Sequence, residues 1–308
     1  MTDVTDFSRY REGRQAGNRG ARESHEPRLD VRRFLGTPTG AVYVAWDGTN
    51  GIVDWDMDNN GPDPTNPPYY PNGLGNCGWA APDHGNMAKA NNAALHGTFG
   101  TPKYNPGLNT YFAYGVSQGE QGQPPAPADC PDGGVDNASW LGFLYKQGII
   151  YGYGEVPVSL MDNYAPAAHG LLIGQNLPDS AESDFETHPP IPWGSPGEVP
   201  DNQEDHDTWY ILGHEDGSGE LITWGGLQPF TVSYRENFIT DAWIIFDADD
   251  PNVDHVALQD ALAAVHGVDT PPLAAAAVAK EVAPPPHVEG PPLGSIDPYV
   301  PMRARDLR

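Results

Sequence analysis

Between residues 169 and 248 the chain returns four times to one pattern, a short apolar and aromatic run closed by turn residues. The runs are HGLLIGQNL (169–177), HDTWYILGHE (206–215), GELITWGGLQPFTV (219–232) and DAWIIFDA (241–248). Runs of this length read as strands, and the tight turn over 215–219 joins two of them back to back. They predict an antiparallel sheet, and every other segment has to be fitted around it.

The preceding part reads differently. From Cys77 to about Leu95 the alanine-containing stretch predicts a helix, with Pro82 in its first turns or at a kink. SWLGFLYKQGII (139–150) predicts a second helix, with Trp140, Phe143 and Leu144 on one side and Gly148 at its end. Residues 96–134 read as irregular. Residues 41–58 read as two short strands around a turn. There Asp54, Asp56 and Asp58 alternate with Val53, Trp55 and Met57 and read as a solvated strand face. A calcium loop would need Gly and Glu where Asn59 and Thr65 stand. Helices followed by antiparallel strands predict an α+β fold. The body spans 41–250, with a helical part over about 77–165 and a sheet part over about 166–250. A short amphipathic helix follows at 251–267, carrying Val256, Leu258, Leu262 and Val265.

Both ends look like arms. Residues 1–40 hold eight of the twelve arginines against six acids, while the rest carries 36 acids and eight basic residues. The final 38 residues contain nine prolines and predict an extended C-terminal arm over 268–308. The net charge of −26 makes nucleic acid and anionic membranes poor partners for the body. No apolar run reaches the roughly 18 residues of a membrane span, and the N-terminus lacks the apolar core of a secretory leader. Neither a cofactor motif nor a four-ligand metal set is present, since there are only two cysteines.

One of them opens the chemistry. In GLGNCGWAAPDH (73–84), Cys77 sits at a predicted loop-to-helix junction, where free N–H groups and the helix dipole favour a thiolate. Three readings stand: a nucleophile, half of a bridge with Cys130, or a small buried side chain. As a nucleophile it needs a base and oxyanion donors. Asn72 could supply a side-chain N–H. His206, at the start of a strand after a long loop, is the best-placed base among ten histidines. His84 lies about two helical turns, some 10 Å, beyond the cysteine. His169 also precedes a strand, and His214 falls toward the far end of the His206 strand.

The order GNCGWAAPDH, LGFLYKQGI, LLIGQNLP, DHDTWYILGHEDG and LITWGGLQPFTVSYRENFITDAWIIF covers about residues 70–248 and resembles the papain-like fold. More closely it resembles the cysteine-peptidase-like domains encoded by tailed phages. The resemblance implies Cys77 as nucleophile, His206 as general base and Asn72 as oxyanion donor. This sequence departs from the pattern at four places. Ile222 and then Thr223 stand where an Asn should orient the histidine before Trp224–Gly225. Asn76 precedes the cysteine in place of Asp. Asp207 follows His206 in place of a small apolar residue. Asn72 is one position nearer the cysteine than usual.

Two functions are expected from this. The first is a structural virion protein whose arms engage neighbouring subunits in a homo- or hetero-oligomeric particle, with catalysis lost. The second is an active cysteine hydrolase cutting peptide or cell-wall amide bonds.

Overall fold

A computed structural model describes residues 29–35, 75–94, 104–122, 131, 133–248, 250 and 253–267. The expected strands at 41–58, Asn72, Cys130, residues 1–28 and the C-terminal arm lie outside the described residues.

The helices are α1 (Cys77–Ala94), α2 (Tyr104–Ser117) and α3 (Asn137–Lys146). Strand β1 (Gly152–Glu155) and helix α4 (Met161–Ala168) follow. Then come β2 (Leu171–Pro178), α5 (Ala181–Phe185), β3 (Pro200–Gly213), β4 (Gly219–Thr223) and β5 (Gly226–Phe230). The last elements are α6 (Val232–Asn237), β6 (Ile239–Phe246) and α7 (His255–His266). The six strands form one sheet in the order β1-β6-β2-β3-β4-β5, with every neighbouring pair antiparallel. The α+β character expected from the sequence is present: mixed helices on an antiparallel sheet.

Three local readings are corrected. The segment 96–134, read as irregular, contains α2. Its Pro106 sits in the first turn, where a missing N–H costs nothing. Tyr114 packs edge-on against Trp140, at 5.2 Å between ring centroids, and ties the helix to α3. The run 219–232, read as one strand, is a hairpin. Trp224 (φ 45°) and Gly225 (φ 75°) both adopt the left-handed conformation of a two-residue primed turn. The helices do not all precede the strands either, because β1, α4, α5 and α6 are interleaved with them.

Two details fix α1 on the sheet. Pro82 has no N–H to give the carbonyl four residues back, that of Gly78. That carbonyl instead accepts Trp140 Nε1 at 2.8 Å, so the break in the helix ladder becomes its link to α3. Further along, Gly85 lies on the indole of Trp209 in β3, where a methyl would come within 2.6 Å of Cζ2.

Residues 29–35, expected inside the basic arm, belong to the core. Leu29, Val31, Phe34 and Leu35 are buried, and Glu155 N–H donates to the Leu29 carbonyl at 2.7 Å beside β1. Leu35 bridges Val253, just before α7.

Candidate active site

Cys77 is the first residue of α1, and Trp79 and Ala80 N–H both return to the Asn76 carbonyl, at 2.9 and 3.0 Å. The Cys77 side chain carries a thiol and is half-buried. Its Sγ lies 3.8 Å from Asp207 Oδ2.

Asp207 is held from the other side. Asn137 Nδ2 donates to Asp207 Oδ1 at 2.9 Å and also to Asp241 Oδ1 at 3.0 Å. Trp243 Nε1 donates to the same Asp241 oxygen at 2.6 Å. The sheet register explains how one amide serves two carboxylates. Gly174 of β2 is paired with Asp207 on one side and Asp241 on the other. Directly opposed residues share a face, and the glycine between them has no side chain to separate them. Asn137 reaches this place because Asp136 caps α3, accepting Ser139 N–H at 2.9 Å. Its amide is buried, and its Oδ1 has no hydrogen-bond partner.

His206, the base expected for Cys77, stands next to Asp207 on β3. Neighbours along a strand leave opposite faces. Asp207 and Trp209 turn toward α1, and so His206 turns away from it. There His206 Nε2 sits 2.8 Å from Thr223 Oγ1. Its ring stacks on Trp224 at 5.1 Å, within an aromatic group that includes Phe185 and Trp193. Ile222, at the expected orienting position, is buried opposite Trp209. His169 ends α4 in the left-handed conformation, its carbonyl accepting Trp209 Nε1 at 3.1 Å. His214 belongs to the β3–β4 turn, donating its N–H to the Ser218 carbonyl at 2.9 Å. His84 is buried along α1.

Asp207 entered the sequence reading only as a departure from a pattern, and Asn137 and Asp241 did not enter it. The available signals were weak: Asp-x-Trp over 241–243, which puts both side chains on one strand face, and Asp136 as a helix cap for the following Asn.

A further carboxyl lies along α1. Burial lifts Asp83 from 3.8 to about 6, with Trp79 and Asn86 partly offsetting it. A carboxyl whose folded-state value is raised stabilises the fold below about 3.8, and that contribution is lost as pH rises through about 6. The Asp83→Asn variant keeps the uncharged shape at every pH. It is expected to be more stable than the parent by roughly 2–3 kcal/mol at pH 8 and nearly equal to it at pH 3.5. Urea denaturation of both proteins at the two pH values measures this. A difference that does not change with pH removes Asp83 as the titrating group.

No family model and no curated protein matches the chain. A solved structure similar to it is xylellain, a cysteine protease from Xylella fastidiosa. The identity is 11% and the TM-score 0.42, with 71% of this chain and 97% of that one covered.

Proposed function

We propose that this chain is a papain-like domain that has lost catalysis and works as a structural component of a virion. The observation that carries the loss of catalysis is the contact between the Cys77 thiol and the Asp207 carboxylate, with His206 on the other face of β3 bonded to Thr223. A cysteine hydrolase needs a group that takes the thiol proton, stands beside the sulfur as a cation, and returns the proton to the leaving group. A carboxylate beside the sulfur opposes the thiolate by like charge. His206 Nε2 is instead engaged with the Thr223 hydroxyl, at 2.8 Å. The virion role rests on the phage-like order of motifs, the acidic body and the arms expected from the sequence.

Iodoacetamide labelling at pH 7 tests the catalytic half. Cys77 should label no faster than an ordinary exposed thiol, and His206→Ala should leave the rate unchanged. Rapid labelling that falls on replacing His206 would instead establish the hydrolase reading. For the virion half, mass spectrometry of purified particles should find the chain, and finding it only in infected-cell lysate counts against that role.

A further inference from the structure

The stretch between α5 and β3, residues 186–199, folds back on the body as a clasp. At its base Pro178, ending β2, pairs with Pro200, opening β3. The same antiparallel register continued outward brings Ser180 and Glu198 together, and Ser180 Oγ donates to Glu198 Oε1 at 3.0 Å. Glu198 Oε2 accepts Gly194 N–H at 2.6 Å and Ser195 N–H at 3.1 Å, which curls the clasp around its own carboxyl. Trp193 then seats it. Its N–H donates to the Pro229 carbonyl and its Nε1 to the Ala181 carbonyl, both at 3.0 Å. Its ring meets those of Trp224 and Tyr234.

A second carboxyl comes to the same place. Asp184 of α5 is 8% exposed, and its carbonyl accepts Ile191 N–H from the clasp at 3.0 Å. Its side chain is in hydrogen-bonding contact with the Glu198 carboxyl, yet its Oδ2 is buried with no donor. Two carboxylates offer each other only acceptors. One proton between them supplies the missing donor and removes the repulsion of like charges. The other titratable groups of the packed elements leave that proton in place. On α6, burial and then the Glu198 charge keep the Tyr234 hydroxyl protonated, and Arg235 is paired with Asp162. In the clasp itself, His188 Nδ1 lies 3.0 Å from the Thr187 carbonyl oxygen.

We propose that the clasp is a pH-sensitive device, closed by a proton shared between Glu198 and Asp184 and opened when that proton leaves. Burial raises the Glu198 carboxyl above its ordinary value of 4.5. The Gly194 N–H and the Ser180 hydroxyl oppose the rise, and the charge and hydrogen bond of Asp184 add to it. A carboxyl raised in the folded state stabilises the fold below its ordinary value, and that contribution is lost as pH rises through the folded value. The clasp is therefore tight on the acid side. Its opening releases the N–H groups of Gly194 and Ser195 and draws Trp193 away from Trp224, the ring on which His206 stacks.

Hydrogen exchange of the full-length chain tests this, read as protection factors so that the intrinsic pH dependence of exchange drops out. Protection of the Gly194 and Ser195 amides is expected to fall by on the order of tenfold between pH 4.5 and pH 8, while the amides of β2 and β6 keep theirs. Two variants identify the group. Glu198→Gln keeps an oxygen for the two N–H groups and gives Asp184 a permanent donor. Asp184→Asn leaves one charge with a donor beside it. In both, protection at Gly194 and Ser195 should be the same at the two pH values. Parental protection that does not change with pH overturns the proposal, whether or not either variant folds. A fall that persists in either variant also overturns it, assigning the titration to another group.

Discussion

Asp207→Asn is expected to speed the reaction of Cys77 with iodoacetamide at pH 7 by on the order of tenfold to a hundredfold. The substitution removes a charge at 3.8 Å from the sulfur and keeps the oxygen that accepts from Asn137. Two unit charges about 4 Å apart interact by about 4 kcal/mol near a protein surface, which alone would exceed a hundredfold. Cys77 is only half-buried, so solvent screens part of that, and the lower range follows. The helix N-terminus then acts on the thiol without opposition, as the sequence led one to expect of Cys77. A second variant separates charge from base. Exchanging the two residues, His206→Asp with Asp207→His, places an imidazole on the thiol's face of β3. It should give a labelling rate that rises and falls with histidine titration, which Asp207→Asn should not. If Asp207→Asn labels at the parental rate, the carboxylate does not govern the thiol and the account of lost catalysis fails.

The strands could be read from the sequence because each is a short apolar run with turn residues after it, and β2, β3 and β6 fall on three of the four runs. The hairpin of β4 and β5 could not, because Trp224 is a large residue in a left-handed turn position that favours Asn, Asp or Gly. Helix α2 contains Asn105, Pro106, Gly107 and Asn109, so its local propensity is poor and packing on α3 holds it. The site was legible at Cys77, whose place at a helix start follows from the glycine-rich approach and the alanines after it. Its partner was not. His206 and Asp207 are adjacent, and a one-residue slip of a strand exchanges which of them faces in. Composition does not decide that slip. It is decided by which side chain of β3 finds a seat large enough under α1, and the residue that does so is Trp209.

Gly170→Ala is therefore expected to be among the most damaging single substitutions, costing roughly 3–5 kcal/mol. Gly170 precedes β2 with φ 122°, a conformation that side chains rarely adopt. Its missing side chain is also the second half of the Trp209 seat, opposite Gly85. A methyl there would lie 2.7 Å from Trp209 Cε2 and 2.7 Å from the Tyr210 carbonyl oxygen. The indole cannot retreat, since Nε1 is bonded to the His169 carbonyl at 3.1 Å and Gly85 closes the other side. Backbone strain accounts for about 1–3 kcal/mol of the cost and overpacking for about 1–3 more. For a protein of this size the loss corresponds to a fall in Tm of roughly 10 °C. Gly119→Ala is the matched comparison. Gly119 has φ 80°, and a methyl there would meet nothing within 4 Å, so only strain remains, at about 1 kcal/mol. Urea midpoints of the two variants separate the terms. Equal losses would mean that the indole yields to the added methyl, and the seat that sets the register of β3, with Asp207 turned inward, would then have to lie elsewhere along the strand.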